Sequence, residues 1–369
     1  MNVIIVECKL PKLPSRVDEV SEMVETLGYR IVDRIIQKRN SINHSYCIGK
    51  GKLHELKKII KEKEVNLVVF CNTLSSAQAF KIKKELGYDV EVIDRNLLIL
   101  ELFKSRALSS EAKLQIKLAK LKYTFSWGKE YLKLKGILNE QVGWSGPGDY
   151  PFSDYEKAAK QRISRIKRKL EEIRSKKDAL RKRRHELGYP IVALAGYTQS
   201  GKTTFFNRLA SENKSVGLGP FTTLSTFARK VNDFDFILID SIGFIEDMHP
   251  IILDAFNATL NEIANADLIL LFIDASDDFE ALTRKINTSD QILRRIGASS
   301  KMIICVNKID LVNEEKLKEI EKIIKRKFLG AKIVFISAKT GENIDQLLKL
   351  IINELSEEFK TFVYAHQVK

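Results

Sequence analysis

The sequence predicts an α/β protein: a doubly wound domain with a mostly parallel sheet, preceded by a smaller α/β domain and an antiparallel coiled-coil helical linker. Three observations predict it. After Pro190, five near-continuous apolar runs recur with mostly helical stretches between them: IVALAG (191–196), FILID (236–240), LILLFID (268–274), MIICVN (302–307) and KIVFIS (332–337). Strands buried on both faces of a parallel sheet read this way. Before residue 105, short strand-like runs alternate with helical stretches, the pattern of a second α/β unit. Between the two, residues 108–125 and 153–187 carry apolar stripes at helical spacing.

The first unit, 1–104, opens with the apolar run VIIV at 3–6. A polar-rich helix near 15–27 ends at Gly28, and a strand follows at 29–36. Residues 51–62 form an amphipathic helix with Leu53, Leu56, Ile59 and Ile60 on one face. The strand VNLVVF (65–70), a helix near 75–86 stopped by Gly87, and the strand DVEVI (89–93) complete it.

The second unit, 105–188, is a basic helical hairpin. Leu114, Leu118, Leu121 and Phe125 recur at 4-3-4 spacing. Ile163, Ile166, Leu170, Ile173, Leu180 and Leu187 recur at heptad-like positions, interrupted by Lys177 and Arg184. Each stripe is too narrow for a globular core, and antiparallel pairing buries both. The connection 126–152 is rich in glycine, lysine and aromatics, with Trp127, Tyr131, Trp144, Tyr150 and Phe152 among Lys129, Lys133 and Lys135. Rings among cations suit stacking on unpaired bases; packing of the rings into a small core is an equal alternative. The third unit, 189–358, holds the buried strands, and 359–369 is expected as a short tail.

Charge separates the halves. The chain of 369 residues has a formal charge of +14, yet residues 1–188 hold 40 basic and 24 acidic groups against 22 and 24 in 189–369. A polyanionic partner for the first half is the leading expectation, nucleic acid ahead of membrane. The tract Arg181-Lys182-Arg183-Arg184 is its densest point. Cys8, Cys47, Cys71 and Cys305 form no CxxC pair, which argues against a disulfide framework or zinc site and for a reducing cytosol. No apolar run reaches ~18–20 residues, so no membrane span is expected. The opening MNVIIVECKLPK lacks the pattern of a signal peptide.

The first buried strand of the third unit runs into Gly196-Tyr197-Thr198-Gln199-Ser200-Gly201-Lys202-Thr203 and then Thr204. This is GxxxxGK[ST] between a strand and a helix, the setting a phosphate loop requires. Its glycines let main-chain N–H groups face a phosphate, and the following helix N-terminus adds positive potential. Lys202 is expected on the β- and γ-phosphates and the Thr203 hydroxyl on Mg²⁺.

Further elements follow in the order that GTPases use. Thr223 lies in the segment 214–226, where its hydroxyl is a candidate for the Mg²⁺ shell; Thr222 is the adjacent competitor. Asp240-Ser241-Ile242-Gly243 ends a buried strand, placing Asp240 at the metal, through water, and the Gly243 N–H at the γ-phosphate. Asn307-Lys308-Ile309-Asp310 leaves another. A carboxylate there accepts two bonds from guanine N1–H and its exocyclic amine, which adenine does not offer. Asn307 braces the site and the Lys308 stem covers the base. Ser337-Ala338-Lys339 ends the last strand, with the Ala338 N–H facing guanine O6. These elements lie at strand carboxyl ends, where ligands of open α/β sheets bind. GTP binding and hydrolysis are therefore expected, with Lys202, Thr223 and Gly243 nearest the chemistry. Phe244 stands where Ras-type enzymes use a water-orienting glutamine, so intrinsic hydrolysis is expected to be slow and completed by a partner.

These motifs resemble the HflX family of ribosome-associated GTPases over nearly the whole chain. Phe221-Thr222-Thr223-Leu224 looks like that family's F-A-T-L, and Asp240-Ser241-Ile242-Gly243-Phe244-Ile245 like its D-T-V-G-F-I. Upstream, Gly49-Lys50-Gly51-Lys52 with Glu55-Leu56, Leu74-Ser75-Ser76-Ala77-Gln78, Asp94-Arg95-Asn96-Leu97-Leu98-Ile99-Leu100, Glu111-Ala112-Lys113-Leu114-Gln115 and Gly146-Pro147-Gly148-Asp149 are similar to family segments. Gln199 stands where the family usually carries Asn, and the stretch around Asp149–Glu156 departs from its pattern. The resemblance implies a cytoplasmic, monomeric factor that binds GTP and GDP, uses Mg²⁺ and contacts the large ribosomal subunit and its RNA. In some members it separates subunits. The extra C-terminal domain of some members is expected to be missing. The rival expectation is a GTP-dependent switch whose coiled coil docks a protein; an ATPase is disfavoured by Asp310.

Overall fold

The computed structural model describes residues 1–11, 13–107, 109–139, 150–186, 189–210, 227–231 and 234–367. Its contacts divide the chain into two compact units, one of Met1–Ile173 with His249–Ala255 and one of Arg174–Met248 with Phe256–Lys369.

The first unit contains a wholly parallel sheet of β1 (Asn2–Lys9), β2 (Arg30–Lys38), β3 (Leu67–Phe70) and β4 (Glu91–Asp94), in the order β2-β1-β3-β4. Helices α1 (Val17–Thr26), α2 (Lys50–Glu62) and α3 (Ser76–Leu86) connect the strands. The side chains of Leu53, Leu56 and Ile60 from α2 join Ile4, Val6, Val68 and Phe70 in one apolar cluster. Helix α3 begins at a capping box, the Ser75 hydroxyl accepting from the Gln78 N–H while the Gln78 carboxamide accepts from the Ser75 N–H. It stops at Gly87, whose φ of 104° disfavours any residue with a side chain.

A helix that periodicity does not announce follows β4 directly, α4 (Arg95–Arg106). Residues Leu97 to Leu100 are all buried, so it lacks the one-sided stripe that betrays a surface helix. Asp94 starts it. One carboxylate oxygen accepts from the Leu97 N–H at 3.0 Å and the other from the Leu74 N–H at 3.1 Å. The Tyr123 hydroxyl donates to Asp94 at 2.5 Å, and the Asn96 amide donates to that hydroxyl and to Thr73 Oγ1, each at 3.1 Å. Burial pushes the Asp94 carboxyl up, against these bonds.

The long helices differ from expectation in their bounds. Helix α5 spans Ser110–Asn139 and α6 spans Tyr150–Glu186, so residues 126–139 of the expected connection are helical. Gly128 does not end α5: its neighbours are mostly strong helix formers, and one interior glycine costs only about 1 kcal/mol. The rings of Phe125 and Tyr155 stack 6.0 Å apart at 7° and join the two helices. Trp127, expected in a connecting segment, lies on α5 packed against the first apolar cluster. Trp144 and Gly146–Asp149 lie outside the described residues, as do the side chains of Tyr131, Tyr150, Phe152 and Arg181–Arg184.

The second unit has a six-stranded sheet. Its strands are β5 (Ile191–Gly196), β6 (Phe227–Lys230), β7 (Ile237–Asp240), β8 (Leu268–Asp274), β9 (Lys301–Asn307) and β10 (Lys332–Phe335), in the order β10-β9-β8-β5-β7-β6. All pairings are parallel except β6 with β7. Helix α7 (Lys202–Ala210) follows β5; α8 (Pro250–Ala264), α9 (Phe279–Arg295) and α10 (Glu314–Lys327) lie between successive strands, and α11 (Ile344–Gln367) follows β10. Residues 359–367, expected as a tail, continue α11. Phe205, Phe206, Phe236 and Phe272 fill one face of the sheet with Leu347 and Ile351. Ile286, Ile304, Ile320 and Ile324 belong to a second cluster.

Candidate nucleotide site

Strand β5 ends in Gly196, whose φ is 134° and whose added Cβ would meet the Phe272 carbonyl oxygen at 2.4 Å. Only glycine lets the chain leave β5 here. Gln199 then takes φ 63°, a region that Asn enters more readily. The buried Lys202 donates to the carbonyls of Gly196 at 2.9 Å and Tyr197 at 2.6 Å. Burial lowers its ammonium to about 8, partly opposed by the charge of Asp240.

Thr203 and Asp240 are both buried, and the Thr203 hydroxyl donates to an Asp240 carboxylate oxygen at 3.2 Å. A hydroxyl and a carboxylate are the hard oxygen donors that Mg²⁺ prefers, so this pair fits the metal that P-loop GTPases use. Among the described residues no cluster of three or more His, Cys, Asp or Glu offers a further metal site.

The Asp240–Gly243 segment runs against the loop. A Cβ at Gly243 would lie 2.8 Å from Thr198 Cγ2 and 2.9 Å from Thr198 Cα. The Thr198 N–H donates to the Phe244 carbonyl at 2.9 Å, the Phe244 N–H to the Gly196 carbonyl at 3.0 Å, and the Glu246 N–H to the Tyr197 hydroxyl at 3.1 Å. The Phe244 side chain is buried and brings no polar group to this place.

A second group of residues gathers at the ends of β9 and β10. The Asn307 amide donates to the Ser200 carbonyl at 2.8 Å, and its carbonyl accepts from the Ala338 N–H at 2.8 Å. Lys308 adopts φ 67° and pairs with Asp274 at 2.5 Å. The Ser337 hydroxyl donates to Asp310 at 2.7 Å and accepts from the Thr340 N–H at 3.1 Å. Lys339 is exposed. The structure thus brings residues 196–204, Asp240, Gly243, Asn307, Lys308, Asp310 and 337–339 to one end of one sheet. Phe221, Thr222 and Thr223 lie outside the described residues.

Two contributors were not foreseen. Arg208 on α7 donates from Nε to the Ala338 carbonyl at 3.0 Å and from its terminal nitrogen to the Lys339 carbonyl at 2.6 Å. Asp274 closes β8 and holds both Lys308 and Ser276. A single arginine in an amphipathic helix carries no sequence signal, whereas an aspartate ending a wholly apolar strand resembles Asp240 and is legible as a strand-end anchor.

A mostly parallel sheet with a phosphate loop between β5 and α7, and an NKxD element beside it, defines a P-loop GTPase domain. Three family models match the chain: "GTP-binding GTPase N-terminal" over residues 14–104, "GTP-binding GTPase Middle Region" over 106–184 and "50S ribosome-binding GTPase" over 191–308. GTPase HflX of Thermofilum pendens is 41% identical over 344 residues, covering 92% of this chain and 80% of its own. GTPase HflX of Thermococcus kodakarensis is 36% identical over 345 residues, covering 90% and 77%. The chain belongs to the HflX family of GTPases. Among solved structures it is similar to the SsGBP–GDP complex, with a TM-score of 0.57 and 28% identity over 96% of this chain and 98% of that one. It is also similar to a GTP-binding protein from Sulfolobus solfataricus in complex with GDP, with a TM-score of 0.52 and 28% identity over 97% and 99%. Among the described residues no helix is long and apolar enough to cross a membrane.

Proposed function

We propose that this GTPase is a ribosome-associated factor that binds the large subunit through its basic N-terminal half and uses GTP to set the binding-competent state. The observation that carries this reading is the net charge of +16 on residues 1–188, set against −2 on the half that holds the nucleotide motifs. RNA is the polyanion that such a field attracts most strongly, through phosphate contacts that release counterions. The match to a family model described as a 50S ribosome-binding GTPase agrees with it. We divide the chain as 1–104, the hairpin 105–188, the GTPase domain 189–358 and 359–369.

In this reading the main-chain N–H groups of 196–204 hold the phosphates, and Lys202 leaves its own loop carbonyls to meet them. Thr203, Thr223 and Asp240 would hold Mg²⁺, which would supply positive charge against the β- and γ-phosphates. The Gly243 N–H senses the γ-phosphate, so its loss releases the 240–244 segment. Asp310 reads the guanine edge, Asn307 and Ser337 keep Asp310 and Ala338 in register, and the Lys308 stem covers the ring. Phe244 supplies no hydrogen bond to an attacking water, so turnover by the chain alone is slow and a partner accelerates it.

Co-sedimentation with purified ribosomal subunits under GTP, GDP and a non-hydrolysable analogue, at two salt concentrations, tests the proposal. Pelleting with the large subunit should favour the GTP form and fall steeply with salt. Equal pelleting of both nucleotide forms removes the switch, and none removes the ribosomal reading. Light scattering of intact ribosomes in the same mixtures reports whether subunits separate. The narrow apolar stripes that the sequence places on 108–125 and 153–187 favour a second reading, docking of a protein partner. Neutralising Arg181–Arg184 should weaken RNA binding and flatten its salt slope, but leave protein docking intact.

A further inference from the structure

At one end of the first unit, α3, β4, α5 and α6 enclose a cleft of about 300 Å³, the lower end of the range for ligand pockets. Four of the residues that line it are aromatic: Phe80, Tyr88, Trp127 and Tyr155. The lining includes one charged group, Lys83, and no carboxylate. Lys81 and Lys84 flank Lys83 on α3. Tyr88 is 57% exposed and Trp127 half-buried, so the rings offer accessible faces rather than core packing alone.

The floor of the cleft explains a residue that otherwise weakens its helix. A Cβ on Gly128 would lie 2.1 Å from the Tyr155 hydroxyl. Glycine in the interior of α5 is unfavourable for the helix, yet only glycine lets Tyr155 close on the backbone there. Tyr155 is in turn held by its stack on Phe125. The cleft is thus shaped by a specific small-to-large contact.

We propose that this cleft takes an unpaired base of an RNA strand, stacked on its aromatic rings, with the Lys83 ammonium meeting the adjoining phosphate. Rings with one cation and no anion suit a flat, electron-rich ligand tied to negative charge, and stacking on aromatic side chains raises affinity by roughly 5- to 150-fold per base. The choice of RNA rests on the ribosomal reading above; the cleft itself does not.

The chain has two tryptophans, so Trp144→Phe leaves Trp127 as the single reporter. This protein is titrated with a single-stranded RNA decamer, a duplex of the same length and a nucleoside monophosphate. Labelled-RNA anisotropy, GDP affinity and co-sedimentation with large subunits are measured alongside. The single strand should quench Trp127 saturably, and the duplex should not. Lys83→Glu, at a partly exposed position, and Tyr88→Ser, at an exposed one, should each weaken the affinity read from the quench at least roughly fivefold while GDP affinity stays unchanged. No binding, binding without quench, insensitivity to both substitutions, or a monophosphate binding as tightly as the decamer would each overturn the proposal. Subunit pelleting with no quench sinks the cleft and spares the ribosomal reading; quench without pelleting does the reverse.

Discussion

Gly201 and Asn307 stand in such close register that a Cβ on Gly201 would lie 2.0 Å from the Asn307 amide nitrogen. The phosphate loop and the NKxD element are thereby joined directly. The Asn307 carboxamide spans from Ser200 to Ala338 with 2.8 Å bonds on both sides. One side chain therefore ties the 196–203 loop to the 337–339 turn.

Gly201→Ala should break this joint. Its φ of 93° strains any side chain, and the methyl displaces the Asn307 amide. GDP affinity by calorimetry should fall about 100-fold, or roughly 2.7 kcal/mol, with far-UV circular dichroism unchanged. Affinity within threefold of the parent would show that the bridge does not order the loop.

Nucleotide binding should take up protons near pH 8. Burial lowers the Lys202 ammonium to about 8, and the unfolded value is about 10.4. Between these values the unfolded chain binds more protons, so this group's contribution to stability rises with pH across that window; below it the full penalty of the buried charge is present. Phosphate favours the charged form and raises the value again. Calorimetry in two buffers of different ionisation enthalpy should show an uptake of about half a proton at pH 8 from this lysine. The affinity should weaken as pH rises above 8.

Arg208→Leu should loosen guanine without touching it. The guanidinium holds the Ala338 and Lys339 carbonyls at 3.0 and 2.6 Å, and charged hydrogen bonds contribute about 1.5–3 kcal/mol. Stopped-flow release of a fluorescent GDP should accelerate about tenfold or more, with little change in association. An unchanged release rate would mean that the 337–339 turn holds itself.

Tyr123→Phe should destabilise the N-terminal unit by about 1–2 kcal/mol, because it removes the hydroxyl that donates to the buried Asp94. The urea midpoint of that unit should drop, and hydrogen exchange at Leu97, whose N–H Asp94 caps, should quicken. Exchange unchanged at Leu97 would show that Asp94 caps α4 without help from α5.

Much of the fold was legible because buried parallel strands leave long apolar runs and the phosphate loop leaves a spaced glycine pattern. Strand β6 left neither, being a short antiparallel edge. Helix α4 escaped because Leu97 to Leu100 are all buried, which erases the 3.6-residue stripe. The end of α5 differs from expectation because 126–152, rich in glycine, lysine and aromatics, reads as one connection, and only the approach of Tyr155 shows why Gly128 sits inside a helix.

Residue order alone laid out the motifs of the candidate nucleotide site: the GxxxxGK[ST] loop at 196–203, Asp240 at a strand end and the NKxD element at 307–310. These follow from local turns at strand ends, where each motif brings its own backbone geometry. The tertiary structure decided what braces them. Asn307 reaches Ser200 across 107 positions and Arg208 reaches Ala338 across 130. Contacts of that separation are set by the order in which strands pair, and side-chain spacing along the chain carries no trace of it.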